Sequence, residues 1–273
     1  MFIATLVAKD RLSAGDISAA SDAFGGAAGR IVEGKACDIQ FDRHHTVDCF
    51  ELPDVDIIVQ RADNRHRKLL VADMDSTMIT VECIDELADY AGFKAEVSDV
   101  TERAMRGEID FAAALRDRVS LLAGMRESVI EECLNERVKL MGGAKRLITE
   151  FRAAGGEAIL VSGGFTHFTG PVAAEIGFNR AIANRLVVKG GRLTGEVEQP
   201  IVDAQTKRAV LIEALAGRDA SVSLAIGDGA NDIPMIEAAG LGVAYHAKPK
   251  TQAAADANIR YGDLNVVRYA LGL

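Results

Sequence analysis

The sequence predicts an α/β fold in which a parallel sheet carries helices on both faces. A small α+β module precedes it and a helical cap interrupts it. Three observations point there. From residue 69 onward short β-rich runs alternate with helical patterns, the arrangement that builds parallel sheets. Each run ends in a polar or glycine-rich loop, where such sheets place their ligands. Residues 78–140 keep helical spacing almost throughout, far longer than an ordinary αβ connection.

The elements follow in chain order. "FIATLVA" reads as a strand, "SAGDISAASDAF" as a helix with Ser13 at its N-cap, and "KACDIQF" and "VDIIVQ" as further strands. These make a small α+β module over residues 1–66 in which no catalytic pattern is found. His44 and His45 could pair on a metal, but without a third ligand they read as a solvated strand end or turn. Residues 61–68 are polar and mostly charged, and read as a linker. The second unit, 67–273, opens with "LLVA" running into Asp73. "EAILVS" then leads to a Gly-Gly turn, "VSLAIG" to Asp228, and "GLGVAYH" closes the series. Between them "GAKRLITEFRAAGG" has helical spacing with a glycine stop, and "MIEAAG" begins another helix. The cap, at about 78–140, contains "IDELADYAG", "IDFAAALRDRVSLLAG" and "SVIEECLNERVKLM". "RLVVKGGRLTGEV" alternates around Gly190-Gly191 and reads as a β-hairpin.

Composition narrows the function. The chain has 273 residues, 49% of them hydrophobic, enough for a large core without disulfides. Its net charge of −9 excludes the basic footprint that grips nucleic acid, which leaves a small molecule as the substrate. Cys37, Cys49, Cys83 and Cys133 lack metal-ligand spacing and read as reduced, mostly buried side chains. No apolar run is long enough to span a membrane and the first residues do not form a signal peptide, so the expected location is the cytoplasm. A homodimer is compatible with this reading.

The chemistry gathers in four places. Asp73 and Asp75, at i and i+2 on an extended segment, address one point beyond the sheet edge. Two carboxylates about 4 Å apart repel by roughly 4 kcal/mol at an effective dielectric near 20, and a divalent cation offsets that. Asp228 and Asp232 flank Asn231 in a second acidic loop, and all-oxygen ligation of this type suits Mg2+. Taken alone, Asp-x-Asp is also an N-cap or turn pattern. In "LVSGGF" the Ser162 hydroxyl and the glycine amides can approach an anion, although Ser-Gly-Gly is also an ordinary turn. Lys207, near the start of a helical run, can neutralise phosphate charge or simply be solvated.

In that order the four elements resemble the motifs of the haloacid dehalogenase (HAD) superfamily of phosphotransferases, whose core is a Rossmann-like sheet. "DMDST" corresponds to the first motif, "VSGGF" to the second, Lys207 to the third and "GDGANDIPMIEAAGLGVAYHAKP" to the fourth. The resemblance spans residues 69 to about 265 and is closest to the phosphoserine phosphatase branch. There it extends to Glu82 and to "MRGEIDFAAALRDRVSLL", with Phe111 and Arg118. The N-terminal module is similar to the ACT-like extension of bacterial members.

The resemblance implies that Asp73 attacks phosphorus and that Asp75 donates and then accepts a proton. It implies Mg2+ held by Asp73, Asp228 and the main-chain carbonyl of Asp75. Ser162, Gly163 and Lys207 would bind the phosphoryl oxygens, with Asn231 and Asp232 shaping that shell. Glu82 and Arg118 would take the ammonium and carboxylate of O-phosphoserine, and Phe111 would line the cap. By itself Arg118 could equally be a solvated helix residue, as Arg116 is expected to be. The reaction so implied is the last step of serine biosynthesis. Two alternatives stay open: a related phosphatase or phosphotransferase, for instance one moving phosphate to homoserine, and an amino-acid-sensing protein with a vestigial catalytic unit.

Overall fold

A computed structural model describes residues 1–42, 50–105 and 109–273. His44, His45 and Cys49 lie outside the described residues. The N-terminal module is an antiparallel sheet of β1 (Phe2–Ala8), β2 (Ala27–Val32), β3 (Ala36–Phe41) and β4 (Val55–Arg61) in the order β2-β3-β1-β4. Helix α1 (Ala14–Phe24) starts at Ser13, whose hydroxyl accepts from the Asp16 amide while Asp16 accepts from the Ser13 amide, a capping box. Ala20 and Phe24 of α1 pack with Ala4, Leu6, Ala8 and Ile39 to form the module's own core.

The second unit is a six-stranded parallel sheet, β12-β11-β10-β5-β6-β7. Its strands are β5 (Leu69–Ala72), β6 (Glu157–Phe165), β7 (Arg180–Asn184), β10 (Ser223–Gly227), β11 (Gly242–Tyr245) and β12 (Ala257–Ile259). Alternation along β5 shows both faces buried. Leu70 and Ala72 join one cluster with Leu147 and Ile148 of α6 (Ala144–Ala153) and Phe168 of α7 (Thr166–Ile176). Leu69 and Val71 join another with Val210 and Leu211 of α8 (Ala204–Leu215) and Met235 of α9 (Ile233–Ala238). Two short helices, α10 (Pro249–Ala254) and α11 (Asn265–Ala270), follow. The chain leaves β5 toward β6 on one side and returns at β10 on the other. This strand-order reversal is where open α/β sheets bind ligands.

The cap holds α2 (Cys83–Ala91), α3 (Lys94–Met105), α4 (Phe111–Ser120) and α5 (Ser128–Arg137). Its two connections pair with each other: Ile79 bridges Leu140, the Thr80 amide donates to the Lys139 carbonyl, and the Met141 amide donates to the Met78 carbonyl. The hairpin β8 (Leu186–Lys189) and β9 (Arg192–Val197) forms as expected around Gly190-Gly191, both at positive φ. It docks on the cap, with the Gly124 amide donating to the Leu193 carbonyl and the Leu193 amide to the Met125 carbonyl.

One expectation is corrected. Residues 61–68, expected as a linker, are exposed at Arg61, Asp63, His66 and Lys68 but anchored at Arg65 and Arg67. Arg61 ends β4 and Ala62–Asn64 form a 3-10 turn. Arg65 makes a two-bonded ion pair with buried Asp38, and Arg67 is buried against the carbonyls of Ser221 and Ser223. Charged residues enter here because each guanidinium finds a carboxylate or carbonyl acceptor. Cys37, Cys83 and Cys133 are buried free thiols, in line with the sequence reading.

Candidate active site

Three neighbouring strands, β10, β5 and β6, end at one place and deliver the site. Asp73 follows β5, with its amide donating to the Ile226 carbonyl of β10, and Asp228 follows β10. Strand β6 does not end at Ser162 as expected: Ser162, Gly163 and Gly164 lie in β6, where the register against β7 shifts between Val161 and Phe165 and the Ser-Gly-Gly turn is a bulged stretch of strand. The Gly164 amide donates to Ser162 Oγ, and Asn184 Nδ2 donates to the Gly163 carbonyl, fixing the turn from both sides.

Asp73 is 5% exposed. Its Oδ1 accepts from the Met74 amide at 2.8 Å and pairs with Lys207 Nζ at 2.8 Å. Lys207 is fully buried and also donates to Asp232 Oδ1 at 2.7 Å, while Asp232 Oδ2 accepts from the Gly229 amide. The lysine is therefore a bridge between two carboxylates. Burial opposes its charge, but Asp232 and Asp73 outweigh that and hold its pKa above the usual lysine range. Burial first, then Asp232 and Asp228, push the Asp73 carboxyl well above the usual range, and Lys207 pulls it back only in part.

Asp228 lies beside them, its Oδ1 accepting from Thr77 Oγ1 at 3.0 Å. Burial and the neighbouring Asp232 raise its pKa to about 7. One oxygen each from Asp73, Asp228 and Asp232 lie within 4.8 Å of one another, the spacing of a cation site. Asp232 spends both oxygens on Lys207 and Gly229. In Asp73 and Asp228 it is Oδ1 that is engaged, by the Met74 amide and Lys207 in the first and by Thr77 in the second.

Asp75 sits two residues beyond Asp73. Its Oδ1 is buried without a hydrogen-bond partner, and burial, with Glu82 adding repulsion, raises its pKa to about 8. Gly164 makes room for it, since a Cβ there would lie 2.9 Å from Asp75 Oδ2 and 3.1 Å from Ser162 Oγ. From the cap, the Phe111 ring reaches the same turn: a Cβ on Gly163 would meet Phe111 Cζ at 3.0 Å and Asn231 Nδ2 at 3.9 Å.

Glu82 precedes α2 and accepts from Ser76 Oγ at 2.7 Å. Arg118, on α4, donates from Nε to the Ala114 carbonyl of its own helix. Burial lowers the Arg118 pKa while Asp85, Glu82 and Asp75 hold it up, so the guanidinium faces the acidic side of the site. Arg116 is exposed. Asp73, Asp75, Glu82, Phe111, Arg118, Ser162, Gly163, Lys207, Asp228, Asn231 and Asp232 thus lie in one region, and Ser76, Thr77, Cys83, Asp85, Gly164 and Asn184 lie beside them. Ser76 and Thr77 could have been found, because they complete "DMDST" and hold Glu82 and Asp228. Asp85 lies one turn beyond Glu82 on the same helix face.

The sequence profile of the haloacid dehalogenase-like hydrolases matches residues 70–237. A phosphoserine phosphatase from Albidiferax ferrireducens is 46% identical over 205 residues, which cover 72% of this chain and 86% of that one. A solved probable phosphoserine phosphatase from Vibrio cholerae, in unliganded form, is 33% identical with a TM-score of 0.81, over 99% of this chain and 86% of that one. A further solved phosphoserine phosphatase, described as a phospho-aspartyl intermediate analogue, is 38% identical with a TM-score of 0.69, over 74% of this chain and 98% of that one. With this site at its strand ends, the chain belongs to the haloacid dehalogenase-like hydrolases and, among them, to the phosphoserine phosphatase family.

Proposed function

We propose that the chain hydrolyses O-phosphoserine to serine and phosphate through an aspartyl-phosphate on Asp73. The observation that carries this reading is the pairing of two different carboxyls two residues apart. Asp73 is clamped by Lys207 and the Met74 amide, whereas Asp75 has a buried oxygen without a partner and a pKa near 8. One is oriented to attack and the other keeps a proton at neutral pH.

Asp73 attacks phosphorus in line and the bond from phosphorus to the serine oxygen breaks. Asp75 gives its proton to the departing serine oxygen. Water then attacks the aspartyl-phosphate, Asp75 takes the water's proton, and Asp73 is released with inorganic phosphate. Lys207, the Ser162 hydroxyl and the Gly163 amide face the charge that spreads over the phosphoryl oxygens. Asn231 lies beside Gly163, where its amide can shape the same shell.

The donor set of buried carboxylates with raised pKa values fits a hard divalent cation, Mg2+, held by Asp73, Asp228 and the main-chain carbonyl of Asp75. When bound, the ion supplies positive charge to the transferring phosphoryl group. Arg118 recognises the substrate carboxylate and Glu82 its ammonium, while Phe111 closes the cap over the Ser-Gly-Gly turn.

The catalytic unit in this reading is 67–273, with residues 1–66 a module that has a small core of its own and also contributes Val7, Ala36 and Ile58 to the main core. Buried free thiols accord with a cytoplasmic setting, and no helix among the described residues is long and apolar enough to cross a membrane. Phosphate release from a panel of phosphomonoesters with Mg2+ tests the proposal. Phosphoserine should be preferred over esters lacking its carboxylate, and equal rates across the panel would reject the substrate assignment.

A further inference from the structure

Asp56 belongs to the N-terminal sheet, in β4, and is 2% exposed. Its partners lie two hundred residues away. Oδ1 accepts from the Arg260 amide at 2.7 Å and the Tyr261 amide at 3.2 Å, and Oδ2 accepts from the Gly262 amide at 2.7 Å. A carboxylate holding three successive amides fixes a loop far more tightly than one ordinary hydrogen bond would. That loop runs directly into the cap hinge. The Leu264 amide donates to the Gly142 carbonyl at 3.0 Å, and Leu264 itself is fully buried. The fit leaves no slack: a Cβ on Gly142 would lie 2.9 Å from Asp263 Oδ2, and one on Gly143 would lie 2.7 Å from the Asn265 amide nitrogen. From Gly142 the chain passes to Met141, whose amide donates to the Met78 carbonyl. The Met78 amide in turn donates to the Met74 carbonyl, between the two catalytic aspartates.

We infer that Asp56, in a module without catalytic groups, is a positioning residue for the cap: its carboxylate fixes residues 260–264, and these hold the Gly142 end of the hinge in the register from which the cap closes. The inference rests on the reading that the cap closes over phosphoserine. It identifies a physical connection through contiguous hydrogen bonds, and coupling has to be measured along it.

The test uses the full-length protein with three variants. Asp56→Asn keeps the shape but leaves a single acceptor oxygen for three amides. Gly262→Ala keeps Asp56 and displaces the loop instead, because the added Cβ would lie 2.5 Å from Val266 Cγ2 and 3.0 Å from Asp56 Oδ2. Gln60→Ala removes different ties of the module, the bond from Gln60 Nε2 to the Ala270 carbonyl and the one that Gln60 Oε1 accepts from Arg67. Asp56→Asn and Gly262→Ala should each raise KM for phosphoserine roughly tenfold with a smaller fall in kcat, and should speed hydrogen exchange across residues 139–143. Gln60→Ala should lower Tm while KM stays within about twofold. Should Asp56→Asn fail to fold, Gly262→Ala carries the test. Unchanged KM and unchanged exchange at 139–143, or an equal KM rise in Gln60→Ala, would overturn the inference. If the wild type does not hydrolyse phosphoserine, the functional reading fails, and the exchange comparison still judges the role of Asp56.

Discussion

Replacing Lys207 with methionine removes one charge and little volume, and leaves Asp73 facing Asp232 in a fully buried place. Their oxygens lie within 4.8 Å, a separation at which two carboxylates repel by about 3.5 kcal/mol at an effective dielectric of 20. Breaking a buried pair by deleting one partner costs about 3–5 kcal/mol by comparison with other proteins, so the two routes agree. Lys207→Met should therefore lose about 3–5 kcal/mol in urea unfolding at about pH 8 in chelator, followed by circular dichroism. The direction with pH follows from Asp73. Its folded pKa already lies above the unfolded value, chiefly through burial, and losing the ammonium removes the group that pulls it down. The folded state then binds more protons than the unfolded one above about pH 4, so stability falls as pH rises. The deficit of the variant should shrink toward about pH 5. A loss under about 1 kcal/mol at pH 8, or a deficit that grows on acidification, would refute the bridging role of Lys207.

Arg118→Ala should lower kcat/KM for phosphoserine by roughly two to four decades, the worth of about 3–5 kcal/mol for a stranded buried anion, while phosphoethanolamine hydrolysis hardly changes and Arg116→Ala matters little. Equal slowing of both substrates would make Arg118 a support of the cap fold. Gly164→Ala should cut kcat by about tenfold to a hundredfold, because the new methyl meets the Asp75 carboxyl and Ser162 hydroxyl; steady-state kinetics at unchanged Tm would show it. Affinity for Mg2+ should rise with pH through about 7, since burial raises both Asp228 and Asp73 and a carboxyl that keeps its proton must release it to bind. Calorimetric titration between about pH 5.5 and 8 reads this, and a pH-independent affinity would contradict it.

What the sequence made legible, and what it hid, divides by where each residue's partner lies. Strands β5, β6 and β10 were readable because both their faces are buried, which forces near-continuous apolar runs such as "LLVA". The edge strands β2, β7 and β12 were not: "AAGRIV", "RAIAN" and "ANI" are short, small or half polar, and an edge strand needs no such run. The same contrast holds at the site. Asp73, Lys207 and Asp228 stand at strand ends or a helix start, and Ser162 stands where the apolar run of β6 gives way to Gly-Gly, in a fixed order, so linear spacing reveals them. Gly164 and Asn184 matter through neighbours far away in sequence, and Cys83 through the Asp75 carboxyl that folds back on it. Arg65 and Arg67 misled for a related reason: a run of charge is ordinarily solvated, and nothing local announces the Asp38 carboxylate or the Ser221 carbonyl that receives them.

The most direct test of the account is to look for phosphate on Asp73 itself. Wild-type protein mixed with phosphoserine and Mg2+, quenched in acid within one turnover and digested, should yield a peptide containing Asp73 that carries a hydroxylamine-labile phosphoryl group. Asp73→Asn, folded to the same Tm, should neither acquire the group nor release phosphate. Phosphate release by a folded Asp73→Asn protein, or a labile phosphoryl group found on any other residue, would contradict the account.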